Sequence, residues 1–282
     1  MLPVINAEQV SRAADALLSA DGIVITAGAG MGVDSGLPDF RGSEGFWRAY
    51  PVLKESGISF EDMADPQSFV IDPRRGWGFY GHRLGLYRAT NPHPGFQILR
   101  QWNARCPEGA FVVTSNVDGQ FQKAGFGENE VSEIHGSIHH LQCSKPCSES
   151  IWSADKIIPD VDEATLMYKA ALPTCPRCGA IARPNILMFS DFGWVKRRAT
   201  IQRLQFEEWL ETIDRVAMIE LGAGTAIPSI REMGRNIVQR KRGTMIRINV
   251  RESDVERRQD VGLACGALAG LIAIDHAISE IQ

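Results

Sequence analysis

The sequence predicts an α/β fold, a parallel-sheet domain carrying a smaller inserted lobe, on three observations. Four short β-rich runs, Ile23–Thr26, Phe111–Thr114, Arg215–Leu221 and Met245–Val250, each stop at small or polar residues. The carboxyl edge of a parallel sheet, where ligands bind, has that pattern. Helical patterns separate the runs, beginning with Ala7–Ala20, which is the alternation of an α/β chain. Two stretches break the alternation: Gly42 to about Phe96, aromatic and Gly/Pro-rich with helix near Pro73–Thr90, and His135 to about Pro184, which carries paired cysteines. They read as insertions. The expected division is a discontinuous sheet domain over 1–42, 97–134 and 185–282, a helical insertion over 43–96, and a zinc-binding module over 135–184. A cleft between the lobes then lies over the sheet edge.

Composition narrows the class. The 282 residues are 44% hydrophobic and 23% charged, enough to build a core without disulfide staples. Net charge is −4, and the Lys and Arg residues are dispersed, so no nucleic-acid partner is expected. The N-terminal stretch lacks a basic segment followed by an apolar one, and no run of 18 apolar residues occurs. No secretory signal, no membrane span and a cytoplasmic location are therefore expected. The stretch Val261–Ile278, interrupted by Asp275 and His276, reads as a buried helix.

Four of the six cysteines form two hooks, Cys143-x3-Cys147 and Cys175-x2-Cys178, separated by 27 residues. Four thiolates in two tight turns suit a closed tetrahedral zinc site, with no ligand position left for water. The metal is expected to clamp two distant segments and to take no part in chemistry. Cys106 and Cys265 stand alone.

The first run leads into Gly28-Ala29-Gly30-Met31-Gly32. Such a turn lets backbone amides approach a pyrophosphate, although alone it is equally a plain tight turn and lacks the full dehydrogenase fingerprint. It continues as GAGMGVDSGLPDFRG, residues 28–42. Thr114-Ser115-Asn116-Val117-Asp118 follows the second run, and Glu133-Ile134-His135-Gly136 precedes the first hook. Taken singly, Asn-x-Asp is turn chemistry, and His139 and His140 rival His135 as a base. In this order, with the hooks, these segments resemble the sirtuins. Arg183-Pro184-Asn185-Ile186-Leu187-Met188-Phe189-Ser190-Asp191, the Gly222–Pro228 turn and Ile248-Asn249 resemble further family motifs. The likeness runs from about Gly22 to Leu271. Departures are Gly32 for serine, Ser115 for glutamine, Gln120-Phe121 for Leu-His, Ser190-Asp191 for Gly-Glu, and a Gly222 turn one residue short.

The resemblance implies a Rossmann-like sheet domain that binds NAD and a structural zinc ion. It implies deacylation of lysine side chains in proteins. The acyl oxygen attacks the ribose carbon, nicotinamide leaves, His135 acts as general base on the ribose hydroxyls, and the acyl group ends on ADP-ribose. Catalytic roles fall on His135 and Asn116. Cofactor contacts fall on Gly28, Ala29, Gly30, Met31, Asp39, Phe40, Arg41, Ser115, Asn116, Val117, Asp118, Gly222, Gly224, Asn249 and Cys265, with Phe40 and Arg41 on a closing loop. Ile186, Met188 and Phe189 pair with the substrate backbone by strand addition. Tyr80 and Arg83, three apart on a helix, match a Tyr-x-x-Arg of sirtuins that remove acidic acyl groups. Protein ADP-ribosylation or NAD hydrolysis on the same fold is the rival activity. A non-catalytic NAD-binding module is the rival of another class.

Overall fold

In a computed structural model the protein is described over residues 5–39, 42–225 and 228–281. A six-stranded, wholly parallel sheet runs in the order Val261–Leu263, Thr244–Ile248, Val216–Leu221, Gly22–Ala27, Ala110–Thr114, Val131–Glu133. The four predicted runs are its four central strands, displaced by a residue or two at their ends. Three strands are near-continuous apolar segments because helices cover both faces.

Alternation along each strand sorts the core into two layers. Ile23, Ile25, Val112, Ile219 and Ile246 pack against the helices Ala7–Leu18, Gly95–Arg105 and Ala267–Ile281. Val24, Phe111, Val113, Met218 and Met245 face the helices Arg197–Glu211 and Ser229–Arg240. The first helix begins at Asn6, whose side chain accepts the Gln9 amide, and buries Val10, Ala13, Ala14 and Leu17 at helical spacing.

One expectation is corrected. Val261–Ile278 is not one helix: Val261–Leu263 is the edge strand, and the helix starts at Ala267. The edge strand pairs in parallel with Ile246–Ile248. A three-residue strand shows too little alternation to be separated from the apolar helix that follows it. Val131–Glu133, the opposite edge, escapes sequence reading for the same reason.

The inserted segments share a third cluster, which includes Phe46, Trp77, Phe79, Tyr80, Ile138, Leu141 and Met188. The strand Gly136–Cys143 pairs antiparallel with Ala182–Ile186 and with Trp152–Ser153. The helix Pro73–Ala89 is capped by Asp72, whose carboxylate accepts the Arg75 amide. It presses so closely on the loop at Leu166 that a Cβ on Gly78 would lie 1.9 Å from the Leu166 carbonyl oxygen. Glycine is required there. Among the described residues, no helix is long and apolar enough to cross a membrane.

Candidate active site

Strand register assembles the site. Ala27 pairs with Thr114 on one side and Leu221 on the other, and Thr114 pairs with Glu133. The loops that follow these four residues therefore leave the sheet at one level. They hold the glycine turn, the Ser115–Asp118 segment, Gly222–Thr225 and His135. The chain order reverses about the Gly22–Ala27 strand, so the crevice lies at a topological switch point.

Hydrogen bonds fasten these loops together. Asn116 Nδ2 donates to the Gly28 carbonyl at 3.0 Å, and the Asn116 amide donates to Thr114 Oγ1. The Ser115 amide donates to the Ala27 carbonyl. Gly28 and Ala223 come so close that a Cβ on Gly28 would lie 2.8 Å from the Ala223 Cα. Gly222, at φ 59°, makes the matching left-handed turn. The Leu187 amide donates to the His135 carbonyl, which ties the histidine to the Ile186–Phe189 segment.

One cavity of about 510 Å³ results, within the range of small-molecule sites. Gly28, Ala29, Asp39, Ser115–Asp118, His135, Ile186–Phe189, Ala223 and Gly224 line it, and so do Tyr80, Arg83 and Tyr87. Of the predicted cofactor residues, Gly30 and Gly222 lie behind this lining, backbone against backbone. Met31 and Cys265 are in the core beneath. Asn249 donates to the Ala223 carbonyl and so props the lining from outside. Phe40 and Arg41 lie outside the described residues. Glycine at position 32 has a local reason: a Cβ there would meet the Leu37 side chain at 3.1 Å.

Burial sets the protonation states. His135 is held below the ordinary histidine value by burial, with the Ser115 backbone opposing. Its imidazole is thus neutral at pH 7 and can accept a proton. His139 and His140 do not line the cavity among the described residues: His139 Nε2 bonds the Asp118 carbonyl, and burial pushes His140 down to about 4. Asp118 is pushed up to about 6 by burial, while the Gln120 amide and the Arg83 charge pull it down. Its Oδ1 accepts the Gln120 amide at 2.9 Å.

The helix Pro73–Ala89 supplies the floor. Tyr80, Arg83 and Tyr87 are buried side chains on one face of it. The Arg83 guanidinium lies 5.2 to 5.6 Å from the ring centres of Phe79, Tyr87 and Tyr80. Sequence reasoning found Tyr80 and Arg83 but missed Tyr87, although its position four residues after Arg83 was a usable signal.

The second cluster is the cysteine clasp. The sulfurs of Cys143, Cys147, Cys175 and Cys178 lie within 4.8 Å of one another. Cys143–Cys178 and Cys147–Cys175 are 3.6 and 3.7 Å apart. Tetrahedral zinc with bonds of about 2.3 Å needs sulfurs about 3.8 Å apart, so the cluster fits the ion. Seven residues separate Cys143 from His135 along the strand Gly136–Cys143, a span of up to roughly 25 Å. The metal is therefore remote from the cavity.

The Sir2 family profile matches residues 28–213, about two thirds of the chain. The chain belongs to the Sir2 family. The Sir2-family relatives include an NAD-dependent protein deacylase of Thermococcus kodakarensis, 28% identical over 254 residues and 89% of each chain. A second, of Pyrococcus abyssi, is 27% identical over 274 residues, 96% of this chain and 99% of its own. Among solved structures, a Sir2 homolog–NAD complex superposes with TM-score 0.69 at 22% identity, over 98% of this chain and 95% of the other. A structure from work on the mechanism and regulation of Sir2 enzymes gives 0.69 at 23%, over 98% and 100%. At these identities the superpositions establish the fold.

Proposed function

We propose that this protein removes acyl groups from lysine side chains of proteins at the expense of NAD, releasing nicotinamide and acyl-ADP-ribose. One observation carries the proposal: the glycine turn, the Ser115–Asp118 edge, His135 and the Ile186–Phe189 segment line a single cavity. The deacylase relatives support it over nearly the whole chain.

Bound NAD supplies a glycosidic bond to a cationic nicotinamide, which is a good leaving group. The protein's residues do the rest. Gly28 and Ala29 let the backbone approach a diphosphate, and the first amide of the Ala29–Ser35 helix has no partner inside that helix. Asn116 is fixed through Gly28 to meet a ribose. The Asp118 carboxylate accepts an N–H of the carboxamide. His135, neutral and buried, takes a proton from a ribose hydroxyl. The exposed side of Leu187–Phe189 receives the substrate backbone. Gly224 lines the nucleotide side, and Gly30, Met31, Gly222, Asn249 and Cys265 shape it from behind or beside the lining. The division into a sheet domain, a helical insertion and a cysteine module is part of the same proposal, and the cysteine clasp would hold zinc as a structural ion.

Within this function the acyl pocket favours acidic groups such as succinyl. Support comes from Arg83, a buried cation in the cavity floor set among aromatic rings. A substrate carboxylate gains there from low dielectric and a charge-assisted hydrogen bond. Mass spectrometry of products from NAD with acetyl-, malonyl- and succinyl-lysine peptides tests both levels. Acyl-ADP-ribose is expected, with the succinyl/acetyl ratio of kcat/KM above one and reduced at least about tenfold in Arg83→Met. ADP-ribosylated protein, or free ADP-ribose without acyl transfer, contradicts the reaction. An unchanged ratio contradicts the acyl preference alone.

A further inference from the structure

We propose that Tyr87 determines acyl selectivity by fixing the guanidinium of Arg83, an inference that rests on the acidic-acyl reading above. Tyr87 follows Arg83 by one helical turn, and its side chain meets the arginine as i and i+4 side chains do. Its hydroxyl oxygen accepts from Arg83 Nε at 3.0 Å and from Arg83 Nη2 at 2.8 Å. Two bonds to neighbouring nitrogens on one edge define the direction of the planar guanidinium. A single bond leaves it able to swivel.

The chemistry of the acceptor matters as much as the geometry. A carboxylate at position 87 could take the same edge, but it would cancel the charge that a substrate carboxylate needs. Burial raises the Tyr87 phenol above its ordinary value, so it stays neutral. It orients the cation without itself adding a counter-charge. Tyr87 is itself tied down: Gln120, buried, donates from Nε2 to the Tyr87 carbonyl at 3.1 Å. The Gln120 amide bonds Asp118, so one short segment aligns the acyl floor with the carboxamide-binding edge. Gln120 stands where the family carries leucine, and this bond gives that departure a physical role.

Tyr87→Phe keeps the ring and removes the acceptor. The test measures kcat and KM for succinyl- and acetyl-lysine peptides in the full-length wild-type protein, Tyr87→Phe and Arg83→Met. Tyr87→Phe is expected to lower the succinyl/acetyl ratio of kcat/KM by about tenfold, worth about 1.4 kcal/mol, chiefly by raising the succinyl KM. A residue that only packs the pocket would lower both peptides alike, and equal losses overturn the proposal. If Arg83→Met abolishes a wild-type succinyl preference that Tyr87→Phe preserves, Tyr87 has no such role and the acidic-acyl reading stands. If Arg83→Met leaves the ratio unchanged, that reading fails and the Tyr87 proposal fails with it. Should Tyr87→Phe be too unstable to assay, Arg83→Lys keeps the charge without the two-nitrogen edge. Loss of succinyl preference supports the clamp, and full retention overturns it.

Discussion

Two buried arginines flank the cavity, and they are held in opposite ways. Arg183 lies under the Ile186–Phe189 segment, its side chain 1% exposed, and pairs with Asp191, 0% exposed, at 2.8 Å. Asp191 also accepts the amides of Met188 and Gly193, while Arg183 donates to the Ile186 carbonyl. That pair closes a turn. Arg83, in the cavity floor, is bonded to a phenol and stacked on aromatic rings. A carboxylate partner makes the first arginine part of the fold. The hydroxyl that directs the second adds no negative charge of its own, and Arg83 lines the cavity, where its charge is also felt by Asp118.

The largest test of this contrast is Asp191→Asn. It leaves Arg183 buried without its counter-charge, and denaturant unfolding should show a loss of about 3 kcal/mol or more. Acetyl and succinyl peptides should suffer alike, because in the proposed binding mode the loosened segment faces the backbone of both. Arg83→Met should do the reverse. Methionine removes the cost of keeping a charge buried, so the unfolding midpoint should change less than in Asp191→Asn while acyl choice shifts. A large stability loss in Arg83→Met with no change in selectivity would erase the distinction.

The pH dependence sharpens it further. In the proposed reaction Asp118 accepts a carboxamide N–H most strongly when ionised, so the KM for NAD should rise as pH falls through about 6. In the same proposal His135 works as the neutral imidazole, and burial holds it below the ordinary histidine value, so the acid limb of kcat should lie below that of a free histidine. A kcat limb above the ordinary histidine range, or a KM for NAD unchanged between pH 7 and 5, would contradict these environments.

The smallest effect concerns Ser190, at φ 53° in the turn that Asp191 closes. A non-glycine residue there costs about 1 kcal/mol, so Ser190→Gly should stabilise the protein by roughly that amount. A loss of stability would mean that the hydroxyl outweighs the backbone cost.

Much of this was legible in the sequence because the signals were local or ordered. The central strands announced themselves as apolar runs ending in small residues, and the hooks at Cys143–Cys147 and Cys175–Cys178 announced a clasp. His135 was singled out by its place between Asp118 and Cys143, and it lines the cavity. What escaped depended on contact across the fold. Met31 and Cys265 sit in apparent ligand positions, yet their side chains belong to the core. Tyr87 reads as one more aromatic until Arg83 is seen to bond it. The edge strands, three residues each, owe their conformation to a neighbouring strand and carry little pattern of their own.

In the proposed reaction His135 is the base. His135→Ala should bind NAD with affinity of the same order as the wild type, by calorimetry. Its turnover to acyl-ADP-ribose, followed by mass spectrometry with an acyl-lysine peptide, should fall by about a hundredfold to ten-thousandfold. Product formation at the wild-type rate would contradict it.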